Sequence, residues 1–509
     1  MEAAGALDRG GPSTYVEAAR ELVRSRSRTF WIVAGLTVAA AALRFATLGV
    51  QSYHHDEIVT AGRVLRSSFW HAMDAVGFSE SAPPLYYVLA WLWAQVAGTD
   101  EVGLRSFSAL AGVATVPVVF LIGAELRGRA TGIVAAALVA VNPMLVWYSQ
   151  EARAYALLAL LSSLSLLYFV RGLEHGRRRD LTAWGLLSGL ALATHYFAAF
   201  PIAIEAAWLL YRRRREAARG AAVLAAFVLA LVPLAVHQMS YGHTEWIANF
   251  TLGHRLWEMG VTFTVGEIGD IIARPERPLL ALVPVIAIAI SLGLLAVRGG
   301  RDERRAIRPM LAVVAATVGI PLVLALLDPS KDYVLARNLL PALLPLLVVV
   351  AIGLTLRRAG AIVAAVLVAY SLGFSVWASL SPALQRPDWD AVASALGEAS
   401  TPRAMVTWTI GEASLHYYLP ASSLQAHPSE GFEWWVGEVD FISDGPAPPP
   451  PRHLLGPGFR QAGYEQVGRL YLRRYVRTGP GLAPLQLRTL RSADLNFRTN
   501  GVLLDGIGV

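Results

Sequence analysis

An acidic pair, Asp56 and Glu57, follows His54 and His55 in the stretch QSYHHDEI. Two neighbouring carboxylates perturb one another, and desolvation raises a carboxyl pKa further, which suits proton transfer. The plainer reading is a helix start, where acids offset the macrodipole. Another acid stands in WYSQEARAY, residues 147–155, with Glu151 two positions before Arg153. These two read either as an ion pair ending a helix, or as a carboxylate for a substrate or metal beside a guanidinium for phosphate. Arg337 opens RNLLPALLPLL and is a second phosphate candidate, with lipid-headgroup contact as its plainer use; Lys331 is a weaker one. His195 lies in a short polar turn and suits either phosphate contact or a structural hydrogen bond. His54 and His55 beside Asp56 suggest metal, but adjacent histidines seldom ligate one ion. The chain has no cysteine, which excludes disulfides, thiolate metal sites and a Cys nucleophile.

The elements that position these groups are set by composition. Of 509 residues, 55% are hydrophobic and only 16% charged, where a soluble domain carries about a quarter charged. An α-helical polytopic membrane protein follows. Spans long enough for the hydrocarbon core are read at 30–48, 104–123, 130–147, 154–171, 181–195, 197–211, 220–237, 278–297, 308–327, 338–356 and 359–379. The apolar segment 83–98 would reach only about 24 Å as a helix and is read as interfacial or re-entrant. Arg-rich segments at 20–28, 127–129, 177–179, 212–219, 298–308 and 357–358 decide the orientation. With about eleven spans, and 83–98 not crossing, all six fall on the cytoplasmic side. The +7 balance is thereby spent on orientation and does not argue for nucleic acid.

This topology places 49–103, 148–153, 195–196, 238–277 and 328–337 outside, together with the C-terminal part. Residues 56–75 are expected to form an amphipathic surface helix. Segment 238–277 carries a glycosylation sequon at Asn249. From Gln385 the long apolar runs stop. RPDWDAVASAL (386–396) reads as a helix capped by Asp388, and AMVTWT (404–409) and RLYLRRYV (469–476) read as strands. The expected organisation is a cytoplasmic segment 1–29, a transmembrane domain 30–380, a small extracytoplasmic α/β domain 385–476 and a tail 477–509.

The acidic pair after the first span, the PPLYY segment at 83–87 and YSQEARAY together resemble the GT-C superfamily of membrane glycosyltransferases. Within it, the chain is similar to the branch of protein O-mannosyltransferases and lipid A aminoarabinose transferases, over roughly 30–380. RNLLPALLPLL and RPDWDAV also look like segments of bacterial members. The resemblance implies a GT-C fold with surface helices in the first external loop. It implies an inverting enzyme that moves a sugar from a polyprenyl-phosphate carrier to a glycan, lipid or protein acceptor at the outer face of the plasma or inner membrane. Asp56 then matches the family's catalytic base, and Glu57 and Glu151 support it. Arg153, Arg337 and His195 are the groups for donor phosphate. Tyr86, Tyr148 and Tyr155 would line the substrate groove. Some members of the family hold a divalent metal, for which Asp56, Glu80 and Glu151 would be the ligands here. A transporter of lipid-linked sugars and a non-catalytic envelope scaffold are the competing classes.

Overall fold

The computed structural model describes residues 12–65, 68–241, 247, 250–267, 277–328, 332–419, 425–426, 433–450, 455, 458–486, 490–491 and 500–505. Lys331 and Asn249 lie outside the described residues. A helix lies over each of the eleven apolar segments. Among the described residues, eight helices are long and apolar enough to cross a membrane. Arg129–Val141 and Pro143–Ser149 form a further candidate, bent by 56°. The difference from eleven comes from two places. Helix Arg178–Thr194 has only 17 residues. The segments 197–211 and 220–237 are joined in one helical run, Ala199–Met239.

That run is not straight. Arg213 has φ −138° and ψ 40°. A straight helix would separate its ends by about 60 Å, yet Tyr196 Oη donates to Gln238 Oε1 at 2.8 Å. The chain therefore doubles back near Arg213, and both halves pack along Arg178–Thr194. The contact is close because a Cβ on Gly185 would sit 2.1 Å from the Gly220 carbonyl oxygen. Small residues let membrane helices approach in this way.

The 56° bend has a local cause. Pro143 lacks an N–H and disfavours helical geometry at Asn142. Asn142 instead caps the next turn, accepting from Leu145 N at 3.1 Å. The bend delivers Tyr148, Ser149 and the loop carrying Glu151 to one end of the bundle. At the opposite end Arg127 pairs with Glu303, Arg305 with Glu174 (3.3 Å), and Arg213 donates to the Leu173 carbonyl (2.8 Å). Three of the Arg-rich segments, 127–129, 212–219 and 298–308, thus meet at the end away from Asp56.

Residues 56–75 do not make one surface helix. They form a short turn, His55–Ile58, then a π-helical turn, Val59–Val64, and helix Phe69–Ser79 begins after a break. Ile58 and Leu65 are buried, so tertiary packing overrides the amphipathic pattern. Leu85–Ala97 is a 13-residue helix, too short to span.

After Leu384 the chain builds a mixed sheet. Strands β1 (Arg403–Trp408), β2 (Gln425–Ala426), β4 (Glu438–Asp444), β5 (Phe459–Val467), β6 (Leu470–Arg477) and β8 (Asn500–Asp505) run in the order β2-β8-β1-β4-β6-β5. Strands β3 (Glu433–Val436) and β7 (Ala483–Gln486) form a separate pair. The sheet extends past residue 476, because β8, from the segment assigned to the tail, fills the slot between β2 and β1. Val502, Leu503 and Leu504 are fully buried there, and Asp505 pairs with buried Arg403 at 2.7 Å. Asp388 caps helix Trp389–Leu396 through Ala391 N. This unit is tied to the membrane part through Ser52, which accepts from Trp389 N (2.9 Å), and through Tyr418 Oη, which accepts from Tyr53 N (2.6 Å).

Candidate active site

The acidic pair splits into two different roles. His54 and Glu57 form a capping box: Glu57 Oε2 accepts from His54 N at 2.9 Å, and the His54 ring faces Asp56 N. Glu57 is fully buried. Arg105 grips it with Nε on Oε1 and Nη2 on Oε2, both at 2.8 Å, and Ala152 N donates to Oε1 at 2.8 Å. Burial pushes the carboxyl up, but the Arg105 charge and hydrogen bonds outweigh it and hold Glu57 low, near 2. Every lone-pair direction of Glu57 is committed, so it positions its neighbour and does not meet substrate. Arg105 also donates to the carbonyls of Leu48, Gln51 and Ser52, so one guanidinium fastens the chain entering the site.

Asp56, by contrast, leaves about a quarter of its side chain exposed. Its Oδ2 accepts from Arg337 Nη1 at 3.1 Å, and Arg153 Nη1 donates to its backbone carbonyl at 3.3 Å. Burial raises the Asp56 carboxyl, but Arg337 and then Arg153 outweigh it and hold the group well below the usual carboxylate range. Asp56 is ionised throughout the neutral range.

Glu151 and Arg153 do not pair with one another. Arg153 turns to Glu80 (3.1 Å) and Thr60 Oγ1 (3.1 Å), and Tyr87 Oη donates to Glu80 Oε2 at 2.7 Å. Glu151 is buried and bound by Arg386 Nη2 at 2.7 Å. Burial raises its carboxyl, Arg386 opposes this, and Glu57 and Asp56 add to the rise, so the net direction is upward. Arg386 also reaches Glu57 (3.6 Å) and lies 4.5 Å over the Trp147 ring.

His195 is buried at its turn, with Tyr155 at 5.7 Å between ring centroids. Its Nδ1 accepts from Phe197 N at 3.3 Å, which assigns the proton of the neutral ring to Nε2 and makes that nitrogen a donor. Burial, then Arg153 and Arg337, push its pKa down to about 3, so it is neutral at physiological pH. The Tyr148 and Tyr155 rings meet at 4.7 Å between centroids, tilted by 55°. Tyr148 lines a small cavity, with room for about one water, together with Leu145, Ala159 and Leu340. Tyr86 is buried against Tyr87 and Phe107, within electrostatic reach of Arg153, Glu57 and Glu151.

The set Asp56, Glu80 and Glu151 does not fit a metal centre. Each carboxylate is neutralised by its own guanidinium: Arg337, Arg153 and Arg386 respectively. Among the described residues no group of three His, Asp or Glu could hold an ion. No step is therefore routed through a metal. Sequence reasoning passed over Arg105, Arg386 and Glu267. Arg386 stood in the quoted RPDWDAV segment without a role, and Arg105 looked like an ordinary residue at the start of a span. Glu267, in the stretch VGEIGD, had a signal only in its external position. It lies beside Tyr148, and burial raises its carboxyl to about 7, with Arg337 opposing.

Comparison with known proteins bears on the fold. Residues 81–239 match the family model of dolichyl-phosphate-mannose-protein mannosyltransferases. The chain is similar to the structure of ArnT from Cupriavidus metallidurans in the apo state, at 15% identity and a TM-score of 0.50. That match covers 73% of this chain and 70% of the other. A shorter match is to the protein O-mannosyltransferase Pmt1-Pmt2 complex of S. cerevisiae bound to the sugar donor, at 20% identity and a TM-score of 0.33. It covers 43% of this chain and 33% of the other. The arabinofuranosyltransferase AftD from Mycobacteria matches at 17% identity and a TM-score of 0.45, over 88% of this chain and 42% of the other. No curated protein sequence matches the chain.

Proposed function

We propose that this chain, a GT-C superfamily glycosyltransferase by its fold and by its protein mannosyltransferase segment, moves one sugar from a polyprenyl-phosphate donor to a hydroxyl acceptor. The acceptor is a glycan, lipid or protein of the cell envelope. The observation that carries the reading is the meeting of Asp56 with Arg337 (3.1 Å) and Arg153 (3.3 Å) at one partly open point. A carboxylate and two guanidiniums at one point are what such a transfer needs. The base takes the acceptor proton as the hydroxyl oxygen attacks C1. The C1–O bond to phosphate breaks, and the charge that collects on the phosphate is met by fixed cations. His195 Nε2–H adds a neutral donor. Attack opposite the leaving phosphate inverts C1.

While Arg337 holds it, Asp56 is too acidic to be a strong base. A donor phosphate competes for the same guanidinium. Drawing Arg337 onto the phosphate relaxes Asp56 and strengthens it as a base only when donor is present. Unproductive activation of water is thereby suppressed. The Arg-rich segments gathered at the far end support a site on the extracytoplasmic side, by the positive-inside rule.

The test is transfer by membranes bearing Asp56→Asn. Loss of about 10²–10⁴-fold is expected for removal of a general base, with expression and thermal midpoint retained. Full activity in that variant overturns the assignment.

A further inference from the structure

Arg44 stands one residue before the end of the first helix, Pro12–Phe45, and none of the steps above uses it. It is fully buried. Its four acceptors are neutral, a hydroxyl and three backbone carbonyls. Nε donates to Ser149 Oγ (3.0 Å), Nη1 to the carbonyls of Ala40 (3.2 Å) and Ala140 (2.8 Å), and Nη2 to that of Val139 (3.3 Å). A guanidinium taken out of water is costly unless good hydrogen bonds meet it, so its place here calls for a physical reason.

The bend after Val141 supplies that reason. In an unbroken helix the carbonyls of Val139 and Ala140 would accept from the N–H groups of residues 143 and 144. Residue 143 is proline and has no N–H. Asn142, at φ −59° and ψ 124°, has left helical geometry and turns residue 144 away. Two carbonyls inside the bundle thereby lose their helical donors, and a buried carbonyl without a donor is costly. Arg44 gives both of them a donor from the two arms of one planar fork. Its Nε takes Ser149, the last residue of the turn Pro143–Ser149 that follows the bend. One side chain thus ties the bent turn at its beginning and at its end.

The neighbouring helix, Glu101–Arg127, leaves room for this contact. A Cβ on Gly112 would stand 2.0 Å from Ser149 Oγ and 3.0 Å from Arg44 Nε. Beyond Ser149 the chain runs straight into the site. Gln150 Nε2 donates to the Arg44 carbonyl (3.0 Å) and to Thr47 Oγ1 (2.7 Å). Ala152 N then reaches Glu57 Oε1 (2.8 Å), and Arg153 Nη1 the Asp56 carbonyl (3.3 Å). We propose that Arg44 is a positioning residue of the transfer site: its fork replaces the backbone donors lost at Pro143 and so holds the turn from which Glu151 and Arg153 reach Asp56 and Glu57. The geometry of the fork is what matters, because a lysine at this place keeps the charge but cannot serve two carbonyls and a hydroxyl from fixed directions. Its effect on transfer rests on the glycosyltransferase reading, while its hold on the turn does not.

The experiment joins amide hydrogen exchange with transfer kinetics, on the full chain in lipid nanodiscs. In Arg44→Lys the amides of residues 145–153 should exchange at least about tenfold faster, while those of helix Arg178–Thr194 keep their wild-type rates. Ser149→Ala removes one acceptor only and should loosen the same stretch by at least about threefold, which keeps the test in hand where Arg44→Lys does not fold. With a short-chain polyprenyl-phosphate sugar, Arg44→Lys should lower kcat by about ten- to a hundredfold, the cost of misplacing catalytic groups by about 1 Å. Donor KM should change by less than about threefold, because Arg337 does not depend on the turn. Unchanged exchange over 145–153 in both variants overturns the proposal. Faster exchange spread equally over Arg178–Thr194 also overturns it, since it would make Arg44 a general prop of the bundle. Full kcat in an Arg44→Lys variant with a loosened turn overturns the positioning role. A wild-type chain that transfers no sugar would instead overturn the glycosyltransferase reading and leave the exchange result standing.

Discussion

Replacing Arg386 by Gln removes the guanidinium paired with Glu151 among the described residues. The guanidinium touches Glu151 at 2.7 Å and reaches Glu57 at 3.6 Å, and both carboxylates are almost wholly buried. Two unit charges about 4 Å apart at an effective dielectric of about 20 interact by about 4 kcal/mol. That is an upper limit of about three pH units on the Glu151 carboxyl. Water entering the vacated space lowers the effect, so a rise of about one to two units is expected. Glu151 is already raised by burial and by Glu57 and Asp56. In the variant it becomes protonated at higher pH, so the acid limb of the transfer profile should move upward. Breaking a buried pair also costs about 3–5 kcal/mol of stability, visible as a lower thermal midpoint. Arg386→Lys keeps the charge and should restore most of the pH profile. It should not restore full stability, because the planar fork and the stacking on Trp147 are lost. An unmoved acid limb in Arg386→Gln refutes the reasoning, and with it the claim that the segment after Leu384 sets the charge of the site.

Other outcomes follow from the same geometry. Glu57→Gln should lower the thermal midpoint and the yield of folded protein, with about 3–5 kcal/mol lost from the Arg105 pair; a normal midpoint with lost activity would instead make Glu57 catalytic. His195 has a folded pKa of about 3, below its unfolded value near 6.5. The unfolded chain binds the extra proton, so stability should fall by up to about 1.4 kcal/mol per pH unit below 6.5. A His195→Gln variant should lose that slope when acid unfolding curves are compared. Gly185→Leu should prevent the close approach to Gly220, which is read as loss of the monodisperse peak in detergent.

The bundle was legible because hydrophobic runs and Arg clusters are written directly in the sequence. The surface helix Leu85–Ala97 was legible too, since counting Arg positions excluded it as a span. The doubling back at Arg213 had a weaker trace, the Arg cluster at 212–219, because a kink in a continuous helix needs no Pro or Gly. The partners of the carboxylates were not legible. Glu151 and Arg153 are two apart, but residues 150–154 turn out of the helix, so their side chains diverge to Arg386 and Glu80. Glu151 meets Arg386 across 235 residues, and no local spacing announces a contact of that range. Strand β8 was hidden for the same reason. Six residues, NGVLLD, carry little pattern until a slot between two strands selects them.

The charge count of the site leads to a last prediction. Asp56, Glu57, Glu80 and Glu151 are matched one to one by Arg337, Arg105, Arg153 and Arg386. An incoming phosphate diester therefore finds no surplus among these four guanidiniums and must share one already in use. Arg337 is the one to yield, because its pair with Asp56 is the most exposed of the four. Its withdrawal raises the Asp56 carboxyl from below the usual range toward its ordinary value near 3.9. Between those two values, binding must take up protons, and affinity must rise as pH falls through that window. The diester itself does not titrate there. Calorimetry of a short-chain polyprenyl-phosphate sugar at about pH 4, in two buffers of different ionisation enthalpy, should report uptake of up to about half a proton. Asp56→Asn should abolish the uptake while leaving the arginines to bind. Zero uptake in the wild type would mean that Arg337 stays on Asp56, and that donor binding and release of the base are separate events.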